Sequence, residues 1–448
     1  MRKGSKPARV AGEARDAGKT RVGGKAWVGG ERKPLRVVVT VISDLVTDQR
    51  VHKVSRALSE HGYRVLLIGA RKRGSLPLAP RSYATRRIGM MFHKKWLFYA
   101  EFNLRLFFKL LFIHADILLG NDLDAMPATW LAARLKGKPV IYDTHEYWMG
   151  MPELDGRPGI KRVWKAIESF IFPRVDSVYT ICESFCELYK RDYGRELRAV
   201  RNVPYLAAEA TGDAERPGAG AVAAGLYRFA PEIEERMKGK HFLLFQGAGI
   251  NPERGVEELV LAMRWLDPAR FHLLIIGGGE LFEEIRKMVR DGRLEDRITI
   301  LPKVPFDELR AITRRAHLGL SLDKPTNINH IYGLPNKIFD YLHSGVPVLV
   351  SRLVELEKIV TEYEVGTFIE NHEPEHIAAR IREIFEEKSG NGGEGRSAGG
   401  GGGMTAAKDP GRLEMWKRNT ERVRQELNWE KESRIVLEIF KQVEHQKS

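Results

Sequence analysis

The sequence predicts an α/β protein made of two Rossmann-like, doubly wound domains. The chain has 448 residues with 43% hydrophobic content, which is enough for two cores, since a single core seldom grows beyond roughly 250–300 residues. Apolar β-branched runs alternate with amphipathic helical patterns in both halves of the chain, which is typical of parallel βαβ units. No motif repeats at a period of about 20–50 residues, which excludes solenoids and propellers.

The first domain is predicted over residues 35–205. It is expected to contain five strands and four helices, with strands at 36–42, 64–68, 116–119, 139–142 and 177–180 and helices at 51–61, 126–135, around 163–172 and from about 183. In a doubly wound sheet the ligand crevice lies at the carboxyl ends of the strands. Site residues are therefore expected directly after these strands.

The pattern restarts after residues 206–240, which are rich in Ala, Gly, Glu and Pro and are predicted as a linker or insertion. A second domain is predicted over residues 241–388. Residues 389–410 are predicted as a glycine-rich flexible insertion. The terminal segment, 411–448, ends in a helix with one apolar face, and we expect this helix to dock back on the first domain.

The formal net charge of +14 indicates an acidic partner, and nucleic acid, an anionic membrane and a phosphorylated substrate all fit. Ten basic and three acidic residues stand within residues 1–34. This segment has no apolar run, so it is predicted as a basic disordered tail and not as a signal peptide. No recognition motif with interleaved aromatic residues is visible, and we expect no nucleic-acid partner.

The two cysteines, Cys182 and Cys186, stand in a predicted helix. A disulfide framework or a metal site would need further ligands, which the sequence does not supply. We interpret both as packing residues, which favours the reducing cytoplasm.

Residues 90–113 are rich in Phe and Leu but are interrupted by charged residues, namely Lys94, Lys95, Glu101, Arg105 and Lys109. A spanning helix needs about 20 mostly apolar residues, so this stretch does not cross a membrane. Two interpretations stay open. One is an interfacial helix on an anionic membrane, which would make the protein peripheral on the inner face of the cytoplasmic membrane. The other is a core helix whose lysines extend to solvent.

The run 332–348 predicts a loop, a helix and a strand with a charge in an unusual place. Pro335 suits a first helical turn and Gly345 a helix end. Lys337 then lies at the positive pole of the helix dipole, where a cation is unfavourable unless an anion arrives.

Asp340 and Tyr341 follow Lys337 at i+3 and i+4, so the three side chains can share one face. A phosphate above Lys337 and a hydroxyl-rich group near Asp340 would explain the pattern, and a nucleotide sugar has both. Leu334 and Asn336, in the same loop and helix start, are included in the predicted binding set.

A second strand-loop-helix unit carries a cation at the equivalent place. Gly247 and Gly249 let the backbone approach a ligand, and Arg254 lies where the next helix starts. Arg254 and Lys337 together could hold a diphosphate, the guanidinium through its fork and the ammonium as a point charge. Gly278 belongs to a tight turn predicted near the base or ribose, although the full G-x-G-x-x-G of dinucleotide sites is absent.

In the first domain His145 follows a predicted strand at its carboxyl end. It could hydrogen-bond a sugar or a phosphate, or transfer a proton; a structural histidine at the strand end is the alternative. The loop Asp48-Gln49-Arg50 could meet the acceptor or the donor phosphates, and a capping Asp with a surface Arg fits equally well.

Taken together, these motifs resemble the family-4 glycosyltransferases. The resemblance covers about residues 36–205 and 241–385 and rests on six short runs, namely 48–51, 142–146, 202–204, 254–255, 276–279 and 334–341 with 345–347. It implies the GT-B architecture, in which two Rossmann-like domains face each other across a cleft. It also implies retaining transfer from a nucleotide-diphosphate sugar, held by the carboxy-terminal domain, without a bound metal or permanent cofactor.

By this resemblance Asp340 is the second acid of the family's Glu-x7-Glu pair, which binds the ribose hydroxyls. Arg254 is a phosphate-binding residue and His145 lies near the transferred sugar. Two positions depart from the pattern: Tyr332 stands in place of the first acid, and Ala248 or Gly249 in place of a second basic residue, for which Lys337 would substitute.

We therefore predict two overlapping sets of site residues and no metal ligand. The catalytic set is His145, Arg254 and Lys337; the donor-binding set is Gly247, Gly249, Arg254, Gly278, Leu334, Asn336, Lys337 and Asp340. Without a carboxylate at position 332, the predicted mechanism is same-face displacement, in which the leaving diphosphate takes the acceptor proton.

The resemblance implies a hexosyltransferase that acts on a glycan or lipid-linked acceptor in cell-surface polysaccharide or glycolipid assembly. Two alternatives are a sugar-nucleotide epimerase on the same fold and a non-catalytic protein that binds nucleotides or nucleic acid.

Overall fold

The computed structural model describes residues 33–92, 95–206, 228–386 and 411–446. From Leu35 onward the chain forms one compact unit. The predicted tail, except Lys33 and Pro34, and the predicted glycine-rich insertion lie outside the described residues.

The amino-terminal lobe is built on a seven-stranded parallel sheet of order β3-β2-β1-β4-β5-β6-β7. Its strands are β1 (Arg36–Asp44), β2 (Arg64–Arg71), β3 (Ala84–Gly89), β4 (Ile117–Asn121), β5 (Val140–Thr144), β6 (Ser177–Thr180) and β7 (Arg198–Ala199). Its helices are α1 (Gln49–Glu60), α2 (Lys95–Phe112), α3 (Met126–Leu135), α4 (Pro158–Ile171) and α5 (Glu183–Tyr193).

The carboxy-terminal lobe is built on a six-stranded parallel sheet of order β10-β9-β8-β11-β12-β13. Its strands are β8 (His241–Gly247), β9 (Phe271–Gly277), β10 (Ile298–Pro302), β11 (Leu318–Ser321), β12 (Val348–Ser351) and β13 (Gly366–Ile369). Its helices are α6 (Pro231–Met237), α7 (Val256–Ala262), α8 (Phe282–Asp291), α9 (Phe306–Thr313), α10 (Ile328–Tyr332), α11 (Asn336–His343), α12 (Val354–Tyr363) and α13 (Pro374–Phe385). The final helices are α14 (Arg412–Glu426) and α15 (Trp429–His445).

These two parallel sheets confirm the predicted α/β class with two doubly wound halves. The interior strands β1 and β9 are buried along most of their length, as expected of parallel strands covered on both faces. The sequence interpretation missed β3, because this edge strand reads Ala-Thr-Arg-Arg-Ile-Gly and buries a single side chain. We also predicted no helix between residues 206 and 240, where the structure has α6.

The last helix packs on the amino-terminal lobe. Trp429, Val436 and Phe440 are buried in the same apolar cluster as residues of β1 and α1. At the start of α15 the backbone N–H of Trp429 donates to the carbonyl of Pro204 at 2.9 Å. The helix therefore secures the point where the chain leaves the amino-terminal lobe.

Apolar packing also joins the two lobes. Tyr147 and Phe185 of the amino-terminal lobe share a cluster with Leu334 of the carboxy-terminal lobe. At Gly150 the contact is close, because a Cβ there would lie 2.8 Å from the Cβ of Ile328. A larger residue at position 150 would push the lobes apart.

Glu168, on α4, gives the stability of the fold a predictable pH dependence. Its side chain is fully buried and accepts a hydrogen bond from the Tyr193 hydroxyl. Burial raises its pKa from 4.5 to about 7. The stability associated with its neutral form is complete below pH 4.5 and is lost as the pH rises through about 7.

Glu168→Gln keeps the shape and removes the ionisation. Between pH 4.5 and 8 we expect the free energy of unfolding of the natural chain to fall by about 2–3 kcal/mol relative to this variant, as measured by urea unfolding. Glu232→Gln, at an exposed helical glutamate, is the control and should run parallel to the natural chain. Parallel profiles for Glu168→Gln as well would contradict the assignment.

Candidate active site

Two cations of the carboxy-terminal lobe meet at one buried carboxylate. Arg254 lies just before α7, and Lys337 lies in the first turn of α11. The Nη1 atom of Arg254 is 3.4 Å, and the Nζ atom of Lys337 3.3 Å, from the same Oδ1 atom of Asp323. The side chain of Asp323 is 2% exposed. The cluster of two cations and one anion carries one positive charge beyond neutrality.

Asp323 and Lys337 each affect the pKa of the other. Burial would raise the pKa of Asp323, but Lys337 and Arg254 outweigh burial and hold it below its usual value. Burial lowers the pKa of Lys337, and Asp323 opposes that change. The Lys337 ammonium also lies 4.6 Å from the centre of the Phe245 ring. The cation at the helix start is thus partly neutralised by the protein itself, before any ligand arrives.

Gly255 positions Arg254. Its φ of 71° lies in the left-handed region, and a Cβ at this position would lie 2.2 Å from the backbone oxygen of Leu322. Any side chain would push the loop away from the strand end that carries Asp323. The Arg-Gly pair in the sequence therefore reflects the close packing of two loops.

The loops after β8 and β9 interlock through backbone contacts. A Cβ at Gly277 would lie 2.0 Å from the carbonyl oxygen of Gly247, and one at Gly279 would lie 2.5 Å from the nitrogen of Ile250. The N–H of Ile250 donates to the carbonyl of Gly278 at 2.7 Å. These contacts hold the glycine-rich edge of the sheet in one conformation.

The predicted glycines at this edge differ in their surroundings. A Cβ at Gly247 would meet nothing closer than 3.8 Å, whereas one at Gly249 would lie 3.2 Å from the Asn251 side chain and one at Gly278 3.1 Å from the Lys303 side chain. Gly247 is therefore the position where packing within the chain least requires a glycine.

Asp340 lies one turn into α11, beside the end of β8. It accepts a weak hydrogen bond from Nε2 of Gln246 at 3.4 Å and lines a small pocket with Gln246, Arg310 and Pro204. Burial raises its pKa to about 6, against the attraction of Lys53. Its side chain therefore borders this pocket at the carboxyl edge of the sheet.

Tyr341 does not share this face, contrary to the helical expectation. Its side chain is fully buried, and its hydroxyl accepts from the N–H of Gln246 at 3.0 Å and lies 3.2 Å from the carbonyl oxygens of Leu244 and Leu320. Gly319 leaves room for the ring, since a Cβ there would lie 2.4 Å from it. Tyr341 therefore anchors α11 to the sheet.

Of the other two residues predicted in this run, Leu334 is buried in the core that joins the lobes, and Asn336 is exposed at the start of α11. The backbone of this turn stays at the carboxyl edge of the sheet, next to Lys337. Leu334 thus supports the site from the core side.

In the amino-terminal lobe His145 lies between two carboxylates. Its Nδ1 atom is 3.1 Å from Asp122 and its Nε2 atom 3.3 Å from Asp143. Burial opposes a charge on the ring, but Asp122 and Asp143 outweigh burial and raise the pKa of His145 well above its usual value. The raised pKa favours the imidazolium form, which does not suit a general base, and both ring nitrogens are directed at these two carboxylates.

Asp122 orients this histidine. It follows β4 with a φ of 58°, which is rare for a residue other than glycine. Its second carboxylate oxygen accepts from the backbone N–H of His145 at 2.9 Å. Asp122 thus holds both the backbone and the ring of His145.

Arg50 is buried and forms its hydrogen bonds within the amino-terminal lobe. Its guanidinium is buried, donates to both oxygens of Asp143 and also donates to the carbonyl of Val200 at 2.7 Å. Asp48 accepts from the N–H of Val51 at 3.1 Å as the cap of α1. The capping interpretation of Asp48 agrees with the structure, but the surface position considered for Arg50 does not, because Asp143 draws it inward.

The two halves of the site are joined by hydrogen bonds across the lobes. Asn329, on α10, donates to Oε2 of Glu146 and accepts from the N–H of Tyr147, both at 3.0 Å. At position 332, where the family pattern would have an acid, the carbonyl of Tyr332 accepts from Sγ of Cys182 at 3.3 Å. The segment before Lys337 is therefore fixed against the lobe that carries His145.

Comparison with known families identifies both lobes. Residues 48–204 match the family model described as Glycosyltransferase Family 4, and residues 240–387 match the one described as Glycosyl transferases group 1. The chain belongs to the family-4 glycosyltransferases. No curated protein sequence matches it significantly.

Solved structures share the GT-B fold with this glycosyltransferase. Sucrose-phosphate synthase from Thermosynechococcus elongatus has a TM-score of 0.69 at 15% identity, over 92% of this chain and 100% of the other. HepE from Anabaena, solved with UDP-glucose, has a TM-score of 0.62 at 12% identity, over 91% and 100%. A UDP-N-acetylglucosamine 2-epimerase has a TM-score of 0.54 at 11% identity, over 93% and 98%. These likenesses confirm the predicted architecture.

The described residues contain neither a membrane-spanning helix nor a cluster of metal ligands. No described helix combines the length and the apolar character needed to cross a membrane. In the same residues, no group of three or more His, Cys, Asp or Glu side chains could hold a metal ion.

The sequence interpretation overlooked the carboxylates that organise this glycosyltransferase site. Asp323 and Asp122 both come just after a strand, at a carboxyl end, which is the signal that could have found them. A second signal for Asp323 was Lys337, because a cation at the start of a helix is unfavourable unless an anion lies nearby. Asn329 carries no such signal, because its role depends on the approach of the other lobe.

Asp323→Asn tests the charge cluster. Without the carboxylate, two cations share a mostly buried space, so we expect a loss of about 1–3 kcal/mol in the free energy of unfolding without ligand. Inorganic pyrophosphate should then raise the melting temperature more in the variant than in the natural chain, because the anion replaces the lost charge. An unchanged stability together with an unchanged response to pyrophosphate would contradict the cluster.

Proposed function

We propose that this glycosyltransferase moves a hexose from a nucleoside-diphosphate sugar, with retention at the anomeric carbon, to a glycan or lipid-linked acceptor. It would work at the inner face of the cytoplasmic membrane in the assembly of surface polysaccharide or glycolipid. The observation that carries the proposal is the contact of Arg254 and Lys337 with one oxygen of Asp323. Two cations at two helix starts, with one excess charge, match a diphosphate.

The donor is assigned by the chemistry of the carboxy-terminal lobe. Arg254 and Lys337 would hold the diphosphate, Asp340 would accept hydrogen bonds from the ribose, and the glycine-rich edge at Gly247 and Gly278 would lie under the nucleotide. HepE, which shares the fold, was solved with UDP-glucose. UDP is therefore the first nucleotide to test.

The chemical step would be a displacement on one face of the sugar. The acceptor hydroxyl attacks the anomeric carbon on the side from which the diphosphate departs, the bond from that carbon to the phosphate oxygen breaks, and the departing diphosphate takes the hydroxyl proton. Arg254, Lys337 and the start of α11 stabilise the negative charge that develops. His145, held between Asp122 and Asp143, would place a positive charge near the transferred sugar. No step requires a metal ion.

Contact with a membrane is supported by helix α2. One side of this helix is buried, but Trp96, Phe108 and Phe112 are 71%, 53% and 88% exposed. Arg105 and Lys109 lie on the same helix. Exposed aromatic residues with nearby cations are typical of interfacial helices. The buried side of the helix agrees with the core interpretation of 90–113, and the exposed side supports the interfacial one.

The epimerase alternative has less support. An epimerase shares the fold, but its TM-score of 0.54 is lower than the 0.69 of sucrose-phosphate synthase, and both family matches are to glycosyltransferases. Tyr332 stands where the family pattern has an acid. A missing acid is also what a non-catalytic nucleotide-binding protein would show. A turnover assay with the nucleotide sugar that binds best separates the three.

The donor site is tested by nucleotide binding. A thermal-shift panel of UDP-, GDP-, ADP- and CMP-linked sugars first identifies the base, because a bound ligand raises the melting temperature. Arg254→Ala and Lys337→Ala should each weaken binding of the matching nucleoside diphosphate by about tenfold to a hundredfold, the value of a charge-assisted hydrogen bond. Asp340→Ala should weaken binding without unfolding the lobe.

Arg290→Ala, at an exposed residue of α8, is the matched control and should bind as the natural chain does. Unchanged diphosphate binding in both Arg254→Ala and Lys337→Ala would remove the phosphate site. Retained affinity in Asp340→Ala would remove the ribose role.

Vesicle flotation tests the membrane contact. The natural chain should float with vesicles that contain phosphatidylglycerol, more strongly at low salt. Replacing Trp96, Phe108 and Phe112 together by Ser should abolish flotation, whereas Trp265→Ser, at an aromatic residue that is 52% exposed in the other lobe, should not. No flotation of the natural chain at low salt would contradict the contact.

A further inference from the structure

A basic pocket opens at the carboxyl ends of β2 and β3, away from the charge cluster of Asp323. It measures about 320 Å³ and is lined by Arg71, Lys72, Arg73, Gly89 and Met90. The guanidinium of Arg71 lies over Gly89, at 3.9 Å from where a Cβ would stand. None of the residues used in the donor site contributes to this pocket.

The three cations of the pocket contact no carboxylate among the described residues, and the attraction between Lys72 and the buried Asp124 acts over a longer distance. Arg71, Lys72 and Arg73 are exposed, and none of them lies within ion-pair distance of a carboxylate in the described part of the chain. Their neighbour Arg87, in contrast, lies 4.0 Å from Asp44. Three cations that line one pocket without an ion-pair partner among the described residues match a phosphate or diphosphate, which arginine can bind through two parallel hydrogen bonds.

The pocket borders the apolar surface of the lobe. Met90 lines the pocket, and Met91 and Phe92, which follow it, are exposed. The ammonium of Lys72 lies 5.4 Å from the centre of the Phe98 ring on α2. A ligand that fills the pocket with an anionic group therefore has an apolar surface directly beside that group.

The pocket also shares an edge with His145. Strands β2 and β5 are separated by β1 and β4 in the sheet, so the pocket lies three strand spacings, about 14 Å, from β5, which ends just before His145. Substrates of doubly wound domains bind along this edge. The distance leaves room for a saccharide between a phosphate in the pocket and a hydroxyl near His145.

We propose that this pocket binds the phosphate or diphosphate of an amphipathic acceptor, a lipid-linked saccharide. Its apolar chain would lie on the exposed side of α2 and its saccharide would extend toward His145. The proposal rests on the glycosyltransferase function proposed above and narrows its acceptor to an anionic lipid.

Calorimetric titration with farnesyl diphosphate, farnesol and inorganic pyrophosphate tests the pocket without knowledge of the natural acceptor. The pocket variant is Arg71→Ala/Lys72→Ala/Arg73→Ala, and the donor-site variant is Arg254→Ala/Lys337→Ala. Lys287→Ala/Arg290→Ala/Arg418→Ala removes the same charge from exposed positions of the other lobe. The pocket residues are exposed, so their replacement should leave the melting temperature and nucleotide binding unchanged.

We expect farnesyl diphosphate to bind the pocket variant at least about tenfold more weakly than the natural chain. Its affinity for the pocket should be unchanged in the donor-site variant and in the charge control. Pyrophosphate should bind the pocket more weakly than farnesyl diphosphate, and farnesol binding should not depend on the three cations.

Three results would overturn the proposal. If the affinity for farnesyl diphosphate is unchanged in the pocket variant and lost in the donor-site variant, the diphosphate binds in the donor site. Pyrophosphate that binds the pocket as tightly as farnesyl diphosphate would indicate a water-soluble phosphorylated acceptor. Equal weakening in the charge control would indicate general attraction to a basic protein. All three leave the donor site intact, which nucleotide binding measures separately.

Discussion

The arrangement of the candidate active site depends on the buried carboxylate of Asp323. It is the common partner of Arg254 and Lys337, which come from different loops of the sheet edge. Without it, two cations at two helix starts would repel each other in a mostly buried space. With it, they stay close enough to act together on one anion, and the site keeps a single excess positive charge.

The amino-terminal lobe also has a cluster of charged side chains, but this cluster carries no net charge. Arg50 and His145 carry two positive charges, and Asp143 and Asp122 carry two negative ones. The four charges therefore cancel, and both ring nitrogens of His145 are held by carboxylates. By the function proposed above, a diphosphate would be attracted to the Asp323 cluster, where positive charge is in excess, and the balanced set around His145 would face the sugar. This division is consistent with a donor that binds one lobe and an acceptor that binds the other.

Much of this organisation could be predicted from the sequence, for identifiable reasons. Strands such as β1 and β9 are buried on both faces and read as continuous apolar runs. Arg254 and Lys337 stood out because a cation at a helix start conflicts with local electrostatics. What escaped depended on tertiary contacts. The edge strand β3 has too few apolar residues to signal itself, Tyr341 turned into the core because Gly319 leaves space for its ring, and Arg50 was drawn inward by a carboxylate more than ninety residues away in the chain. The basic pocket at Arg71 could not be predicted, because one side of it is formed by the end of β3.

The most direct test of the central claim is a crystal structure with the nucleoside diphosphate that stabilises the protein most. The claim predicts the diphosphate within hydrogen-bonding distance, about 3 Å, of both the Arg254 guanidinium and the Lys337 ammonium. Asp323 should remain in contact with both cations, and the ribose should lie against Asp340. A diphosphate that touches neither cation, or a complex in which Asp323 has left them, would contradict it.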